Sequence, residues 1–327
     1  MGMGRCGPAL PFAQFDGMYI VSTAPPPSRS SDDRLPPPPH LKRIGVAPTL
    51  MEYIADLWAH RDFLITVPLG ELRAQNQNSV LGNFWHLLNP LLLAGVYYLV
   101  FGVIFAARRD IAYYPAFLII GIMTFTYIGK VIQSGARTVV ANKKLIQSIR
   151  FPRASLPLAS TVSETIAHVP ALLTMMVLVS LTSLVAIDPI TGAALPVILP
   201  SVEWLLLLPA MVLMSMFGMG LSLVTARATF HFRDIQQLLP YVLRIWMYAS
   251  GLFYNLEFVS ARVSDDSIWL VIFKANPLWQ FFQIFRDVLI GESFNGRVWA
   301  AATGWSVASL VVGFLWFRSH EVEYSRG

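Results

Sequence analysis

Length, composition and charge place this chain among integral membrane proteins. It has 327 residues, of which 55% are hydrophobic and 13% are charged, and its formal net charge is +5. Soluble domains carry about 25% charged residues, so this composition excludes an ordinary soluble enzyme. The single cysteine, Cys6, excludes a disulfide or a cysteine-based metal site within one chain.

Two different pieces precede the first long apolar block. Residues 1–48 include the run "APPPSRSSDDRLPPPPH", which cannot bury enough apolar surface to become ordered and indicates a disordered, Pro-rich cytosolic tail. Residues 49–80 contain "LMEYIADLWAHRDFLITVPLGELRAQ", where apolar groups recur at helical spacing beside charges. This pattern favours either an amphipathic interfacial helix on the inner leaflet or a helix packed on a soluble partner.

Six apolar blocks follow, each of a length suited to crossing a bilayer, which takes about 20 apolar residues per helix. They cover residues 84–107, 115–133, 160–187, 204–226, 239–258 and 299–317. We therefore predict an all-α integral membrane domain over residues 81–327 with six transmembrane helices. An even number of spans puts both termini on one side of the membrane.

The distribution of basic residues predicts which side that is. Between Arg137 and Arg153 the chain has basic residues at five positions and no acid, whereas residues 188–203 have no basic residue at all. Cytosolic loops of membrane proteins carry an excess of Lys and Arg. The segment around Arg137–Arg153 is therefore predicted to be a cytosolic loop, and both termini are predicted to be cytosolic.

The region between the fifth and sixth blocks, residues 259–297, is apolar but broken. "SIWLVIF" and "PLWQFFQIF" are each too short to span, and charged residues interrupt them, which predicts short re-entrant or interfacial helices. Their aromatic residues suit either an interfacial belt or flat faces for sugar rings at an exit. These residues are Trp269, Trp279, Phe281 and Phe282.

Catalytic and nucleotide-binding motifs are missing from the sequence. It has no GxxxxGK[ST], HExxH, GxSxG or CxxC, so we expect no ATP hydrolysis by this chain alone and no cofactor or metal in it. Asp265 and Asp266 are adjacent acids that could hold a metal, although solvated side chains explain them as well. Glu164 and His168, four residues apart, share one helix face and form either a mutual pair or a wet face towards a cavity.

Four stretches of the sequence stand in order around the six apolar blocks. The first is "ELRAQNQNSVLGNFWHLLNPLL" at residues 71–92, and the second is "ANKKLIQSIRFPRASLPL" at residues 141–158. The third is "HFRDIQQLLP" at residues 231–240, and the fourth is "ASGLFY" followed by "NPLWQFFQIFRDVLIG", with Asn276, Pro277, Arg286 and Asp287. Together they resemble landmarks of the integral membrane subunits of ABC-2 type polysaccharide exporters, although "QNQN" departs from that family's usual basic and aromatic mix.

The resemblance implies a transport subunit of the bacterial plasma membrane. Such a permease pairs with a second copy of itself and binds two ABC ATPase subunits, which carry the ATP and Mg²⁺. It moves a polyprenyl-diphosphate-linked glycan across the membrane, with no nucleic-acid partner. The chain looks most similar to Wzm-like subunits that export O-antigen or galactan, and teichoic acid exporters share most of the same landmarks.

Site residues follow from the resemblance together with charge and side-chain chemistry. The expected contacts with the ATPase are Asn142, Lys143, Lys144, Arg150, Phe151, Pro152, Arg153, Arg233 and Asp234. Cations near the inner surface suit an anionic diphosphate, and the candidates are Arg61, Arg73 and Arg137. Besides the four aromatic residues of the broken region, the expected glycan-lining residues are Tyr97, Tyr98, Phe125 and Tyr127.

Two alternative functions remain open. The first is an ABC-2 exporter with a different cargo, and the second is an enzyme outside this family. An ABC-2 exporter of a drug or a free lipid would have its ATPase stimulated by small hydrophobic molecules instead of a lipid-linked glycan. A stand-alone glycosyl- or lipid-transferring enzyme needs converging carboxylates or histidines at one interface, and the sequence offers only Asp265 and Asp266 for that purpose.

Overall fold

The computed structural model describes residues 50–59, 84–104, 111–148, 151–184, 186–188, 191–261, 267–291 and 294–319. The predicted tail at residues 1–48 and most of the predicted amphipathic segment lie outside the described residues. The same holds for Arg61, Arg73 and Arg150, and for the pair Asp265 and Asp266.

Over the described residues the chain is helical, with one isolated bridge between Ile187 and Ala194. The helices are α1 (Leu50–Ala59), α2 (Phe84–Tyr97, continued by a π-helical segment Tyr98–Ile104), α3 (Tyr114–Ala141), α4 (Lys143–Ser148), α5 (Ser155–Ser183), α6 (Leu207–His231, preceded by a 3₁₀ turn Val202–Leu206), α7 (Ile235–Ala249), α8 (Leu256–Ser260), α9 (Ile268–Ala275), α10 (Pro277–Arg286, continued by a π-helical segment Asp287–Gly291) and α11 (Gly296–Arg318).

Four helical segments among the described residues are long and apolar enough to cross a membrane. They are Tyr114–Ala141, Ser155–Ser183, Val202–His231 and Gly296–Arg318. The described chain is therefore an all-α membrane protein built around these four segments. The first and fifth predicted blocks correspond to the shorter helices α2 and α7.

Helix α3 is the centre of the bundle, with residues such as Leu118, Ile120 and Ile128 fully buried. It packs mainly against α5 and α6, and α6 packs in turn against α11. Because α3 is apolar all round over residues 116–123, this part suits a helix that is surrounded by other helices.

Three long helices run in the same direction. Gly218 of α6 lies against Val131 of α3, and one turn further along both helices Ser222 lies against Gly135, so α3 and α6 are parallel. Helix α11 is parallel to α6 by the same reasoning, since it pairs near residues 213 and 306 and again near 220 and 313. The ends of α3, α6 and α11 therefore lie together at one end of the bundle.

The fifth predicted span is wrong at its C-terminal end. The block at residues 239–258 is not one helix, because α7 ends at Ala249 and the chain turns at Gly251, which has a φ of 66°. A side chain at Gly251 would be strained by that left-handed φ, and its Cβ would approach Phe273 to 2.7 Å. Helix α7 has 15 residues, about 22 Å, which is less than the roughly 30 Å of a bilayer core.

The break after α7 is closed by polar side chains from α10 and the turn before it. Arg286 donates hydrogen bonds to the carbonyl oxygens of Gly251 at 3.2 Å and Leu252 at 3.0 Å. Asn276 donates to Ser250 Oγ at 2.9 Å and accepts a hydrogen bond from Trp246 Nε1 at 3.1 Å. Non-helical backbone at membrane depth needs such partners, because lipid supplies none.

Two apolar clusters stabilise the bundle. The larger one surrounds α3 and includes most of α10. The smaller one, which we call the basic-end cluster, lies where α3, α6 and α11 end. It consists of Tyr53, Val139, Ile146, Ala154, Leu156, Leu158, Leu223, Ala226 and Phe317.

Candidate functional site: two loops at the basic end

The segment between α3 and α5, residues 142–153, is the principal candidate site, and we call it the coupling segment. It begins at Asn142, whose side-chain nitrogen donates a hydrogen bond to the Thr138 carbonyl oxygen at 2.9 Å and so ends α3. Lys143 and Lys144 then begin the short helix α4, and both side chains are exposed. Two cations are thus presented to the solvent on a short helix anchored by Asn142.

The second half of the coupling segment is packed against the bundle. Phe151 is half-buried against the basic-end cluster, and Pro152 is buried. The Pro152 carbonyl oxygen accepts hydrogen bonds from the backbone N–H of Ser155 at 3.0 Å and from its hydroxyl at 2.7 Å, which starts α5. Arg153 lies between these anchors and is partly exposed. The segment is therefore held at both ends, while the side chains of Lys143 and Lys144 are exposed.

A second loop lies at the same end of the bundle, between α6 and α7. Arg233 and Asp234 are exposed there, in a turn closed by a hydrogen bond from the Ile235 N–H to the Phe232 carbonyl oxygen at 3.1 Å. Phe232 is 71% exposed. Sequence reasoning missed this side chain as a contact residue, and its only sequence signal is its place in "HFRD". An exposed aromatic ring beside a cation suits a protein partner better than water.

Arg227 secures the end of α6 under this loop. Its guanidinium group donates a hydrogen bond to the Trp316 carbonyl oxygen at 3.4 Å and lies 4.9 Å from the Trp316 ring centroid. The side chain is buried, and it is within 3.5 Å of His231. The loop after α6 is therefore linked to the last turns of α11.

Of the three arginines predicted to bind the diphosphate, only Arg137 lies among the described residues. Arg137 is exposed on α3 near the basic end, one turn before Ala141. Its position suits contact with anionic headgroups or an anionic substrate at that surface.

A stripe of aromatic and polar residues follows one exposed face of α7. Tyr241, Arg244 and Tyr248 are all exposed and repeat at helical spacing, as does Gln237 one turn earlier. Sequence reasoning missed the two tyrosines, although their spacing was a readable signal.

The predicted lining residues of α2 lie beside this stripe. The Tyr97 ring contacts Phe253 edge-on with centroids 4.8 Å apart, and Tyr248 stacks on the same Phe253 ring at 5.4 Å. Tyr97 also interacts with Tyr248 and Arg244. Tyr98 is half-buried next to Tyr97. Tyr97 and Tyr248 thus meet on the buried Phe253 ring, which connects α2 to the exposed stripe on α7.

The predicted aromatic set of the broken region divides in two. Trp269 is 68% exposed, but Trp279, Phe281 and Phe282 are buried in the core. Phe281 packs against Phe217 with ring centroids 5.5 Å apart. In this structure these three rings have no face open to a glycan, because α10 is enclosed by neighbouring helices.

The remaining predicted lining residues lie inside the bundle. Phe125 is half-buried against the larger cluster. The Tyr127 hydroxyl is within 2.8 Å of the Thr165 hydroxyl and 2.7 Å of the Ser215 hydroxyl. Tyr127 therefore joins α3, α5 and α6, and its ring is buried.

Glu164 and His168 contribute to a small polar pocket with α3. The pocket is lined by Lys130 and Tyr127 on one side and by Glu164 and His168 on the other, and its volume is about 10 Å³. Such a volume holds about one water molecule. His168 packs on the Tyr127 ring at 4.7 Å between centroids. Glu164 and His168 therefore share one small pocket with Lys130 of α3.

Metal binding finds no support in the described residues. Among them, no group of three or more His, Cys, Asp and Glu side chains converges closely enough to hold a metal ion. The pair Asp265 and Asp266 lies outside that search.

Comparison with known protein families gives a match over most of the chain. Residues 67–290 match the ABC-2 type transporter family, and this range is more than half of the chain. The chain belongs to the ABC-2 type transporter family. As a member of it, the chain is a multi-pass protein of the bacterial inner membrane and a transport subunit, not an enzyme, and it works with an ABC ATPase partner.

Relatives within the ABC-2 family include three proteins described as "O-antigen export system permease protein RfbA". The one from Myxococcus xanthus is 25% identical over 282 residues, which cover 85% of this chain and 97% of the relative. Two from Klebsiella pneumoniae are 22% and 23% identical, and each alignment covers 72% of this chain and 82% of the relative.

Proposed function

We propose that this chain is the permease subunit of an ABC exporter for a polyprenyl-diphosphate-linked polysaccharide of the O-antigen or galactan type. Two copies form the transmembrane part, with six spans and cytosolic termini in each, α2 and α7 completing the set. Two ATPase subunits bind ATP and Mg²⁺ and contact the basic end. The relatives described as O-antigen export permeases support this cargo.

The observation that carries the coupling role is the convergence of two exposed loops on one packed base. Lys143 and Lys144 stand on one loop and Phe232 and Arg233 on the other, while the residues beneath them are buried in the basic-end cluster. A partner that moves these loops therefore moves the ends of α3, α5, α6 and α11. Exposed charged loops that are anchored in a packed cluster are suited to receiving force from a soluble protein.

The second part of the proposal is the glycan path. The stripe on α7 is exposed in one protomer and combines aromatic rings with Arg244, and the half-buried Tyr97 and Tyr98 of α2 lie beside it. A fixed cation and several hydroxyls are costly against lipid tails. Facing a second copy across a polar path, the same groups would hydrogen-bond to sugar hydroxyls and pack on the aliphatic faces of sugar rings.

The coupling role is tested with the complete transporter in proteoliposomes. Arg153→Ala and Phe151→Ala are expected to leave insertion and ATPase binding intact. Glycan transported per ATP hydrolysed should fall roughly tenfold, equivalent to about 1.4 kcal/mol of lost coupling. Thr191→Ala, at an exposed position in the loop before α6, serves as the control. Wild-type coupling in both variants would remove the transmission role.

The glycan path is tested on α7 itself. Tyr241→Ala and Tyr248→Ala should lower glycan transport with ATPase binding unchanged, because each removes a ring and a hydroxyl from the stripe. Val242→Ala is the matched control, since Val242 is also exposed on α7 but lies off the stripe. Equal transport in all three variants would exclude this face as the path.

Stimulation of ATP hydrolysis by small hydrophobic molecules alone would instead favour a drug or free-lipid exporter.

A further inference from the structure

Tyr53 occupies an unusual place at the basic end. Of the ten residues of α1 it alone is buried, at 2% exposure. Its ring contacts Phe314 of α11 edge-on, with centroids 5.8 Å apart. The Arg318 guanidinium lies 5.6 Å from the centroid of the same ring. One side chain thus attaches α1 to the last turns of α11.

The Tyr53 hydroxyl also reaches the coupling segment. It accepts a hydrogen bond from the backbone N–H of Ala154 at 3.2 Å, a contact between residues 101 positions apart in the chain. Ala154 is fully buried and immediately precedes α5. The first N–H groups of a helix have no partner within the helix, so a side-chain acceptor there determines how the helix begins.

The location of Ala154 places this hydrogen bond where a displacement of the coupling segment reaches the bundle. Ala154 directly follows Arg153, the last residue of the coupling segment, and it belongs to the basic-end cluster with Tyr53 and Phe317. Tyr53 therefore joins the point where the coupling segment enters α5 to the end of α11. A displacement of the segment would otherwise reach α11 through α6, which packs against both α5 and α11.

We infer that Tyr53 is a positioning residue that makes the coupling segment, α1 and the end of α11 move as one body. This inference rests on the proposed function, since it presumes that the coupling segment receives force from an ATPase. Loss of the hydroxyl leaves the Ala154 N–H unpaired in a buried site and frees the start of α5 to rotate. Loss of the ring separates α1 from α11.

The test compares variants of two aromatic residues on α1 in the complete transporter with its ATPase. Tyr53→Phe keeps the ring contacts and removes only the acceptor. Insertion and ATPase binding should be unchanged, and glycan transported per ATP should fall about three- to tenfold, the range that loss of a buried hydrogen bond produces. Trp58→Phe is the control, because Trp58 is 71% exposed on the same helix and should transport as wild type.

A double variant separates positioning from general weakening. If Tyr53 acts through the coupling segment, Tyr53→Phe combined with Arg153→Ala should couple no worse than Arg153→Ala alone, since residues acting in one step are not additive. Multiplicative losses in the double variant would overturn the inference, as would a wild-type transport ratio for Tyr53→Phe.

Failure of this inference is distinguishable from failure of the proposed function. If Tyr53→Phe couples normally and Arg153→Ala is uncoupled, the positioning role of Tyr53 is wrong and the transmission role of the coupling segment stands. If Arg153→Ala couples normally, the transmission role of the coupling segment is wrong. Should Tyr53→Phe give no inserted complex, Phe314→Leu tests the contact from α11, and an unchanged transport ratio there counts against the inference.

Discussion

Helices α6 and α11 cross at two glycines, and the crossing can be tested by adding a single methyl group. A Cβ built on Gly313 would lie 2.3 Å from the Gly220 carbonyl oxygen and 2.9 Å from its carbonyl carbon. Both neighbours are backbone atoms, so no flexible side chain can move aside. Gly313→Ala therefore requires the two helices to separate. Gly304→Ala on the same helix is the matched control, because a Cβ there has no atom within 4 Å.

The two substitutions are expected to change the free energy of unfolding in opposite directions. Ordinary contacts of a Cβ begin near 3.4 Å, so Gly313→Ala must displace one helix by about 1 Å, and overpacking of this kind costs about 1–3 kcal/mol. Gly304→Ala should instead stabilise α11 by up to about 1 kcal/mol, since Ala is the better helix former. In membrane proteins close crossings at small residues are a main source of helix association.

The measurement is thermal unfolding of both purified variants in the same detergent, beside the wild type. Gly313→Ala should unfold at a lower temperature than the wild type, and Gly304→Ala at an equal or higher one. If Gly313→Ala is as stable as Gly304→Ala, the close approach of the two backbones is refuted.

The remaining predictions concern burial, the break after α7 and topology. Phe282→Ala should lower the unfolding free energy by about 3–5 kcal/mol because the ring is fully buried. Trp269→Ala, at an exposed site, should change it by less than about 0.5 kcal/mol. Equal stabilities of the two variants would contradict the burial of α10. Arg286→Leu should destabilise by about 2 kcal/mol or more, because two carbonyl oxygens lose a charged donor, and unchanged thermal unfolding would show that they have other partners. With Cys6 replaced by serine, a cysteine at Lys143 should react with an impermeant reagent only after the membrane is opened; labelling on intact cells would invert the proposed topology.

How much of the site could be predicted from the sequence depends on how local each feature is. The basic run from Lys143 to Arg153 was readable because its charges lie within eleven residues that contain no acid, and charges beside apolar blocks report on topology without any knowledge of packing. The stripe of Tyr241 and Tyr248 was equally local, since helical spacing shows it. Burial of Phe281 and Phe282 was not readable, because interior and lipid-facing positions of a membrane helix are both apolar.

Residue types along the chain are enough to identify a helical membrane protein with a basic loop between two apolar helices, because hydropathy is summed over about 20 neighbouring residues and needs no knowledge of packing. The end of α7 at Ala249 depends on packing instead, since the break is stabilised by Arg286 from a helix 35 residues further along the chain. The same holds for Tyr53, whose hydroxyl meets a backbone N–H 101 residues away. Contacts of that separation depend on how whole helices pack, and no local pattern of residue types records them.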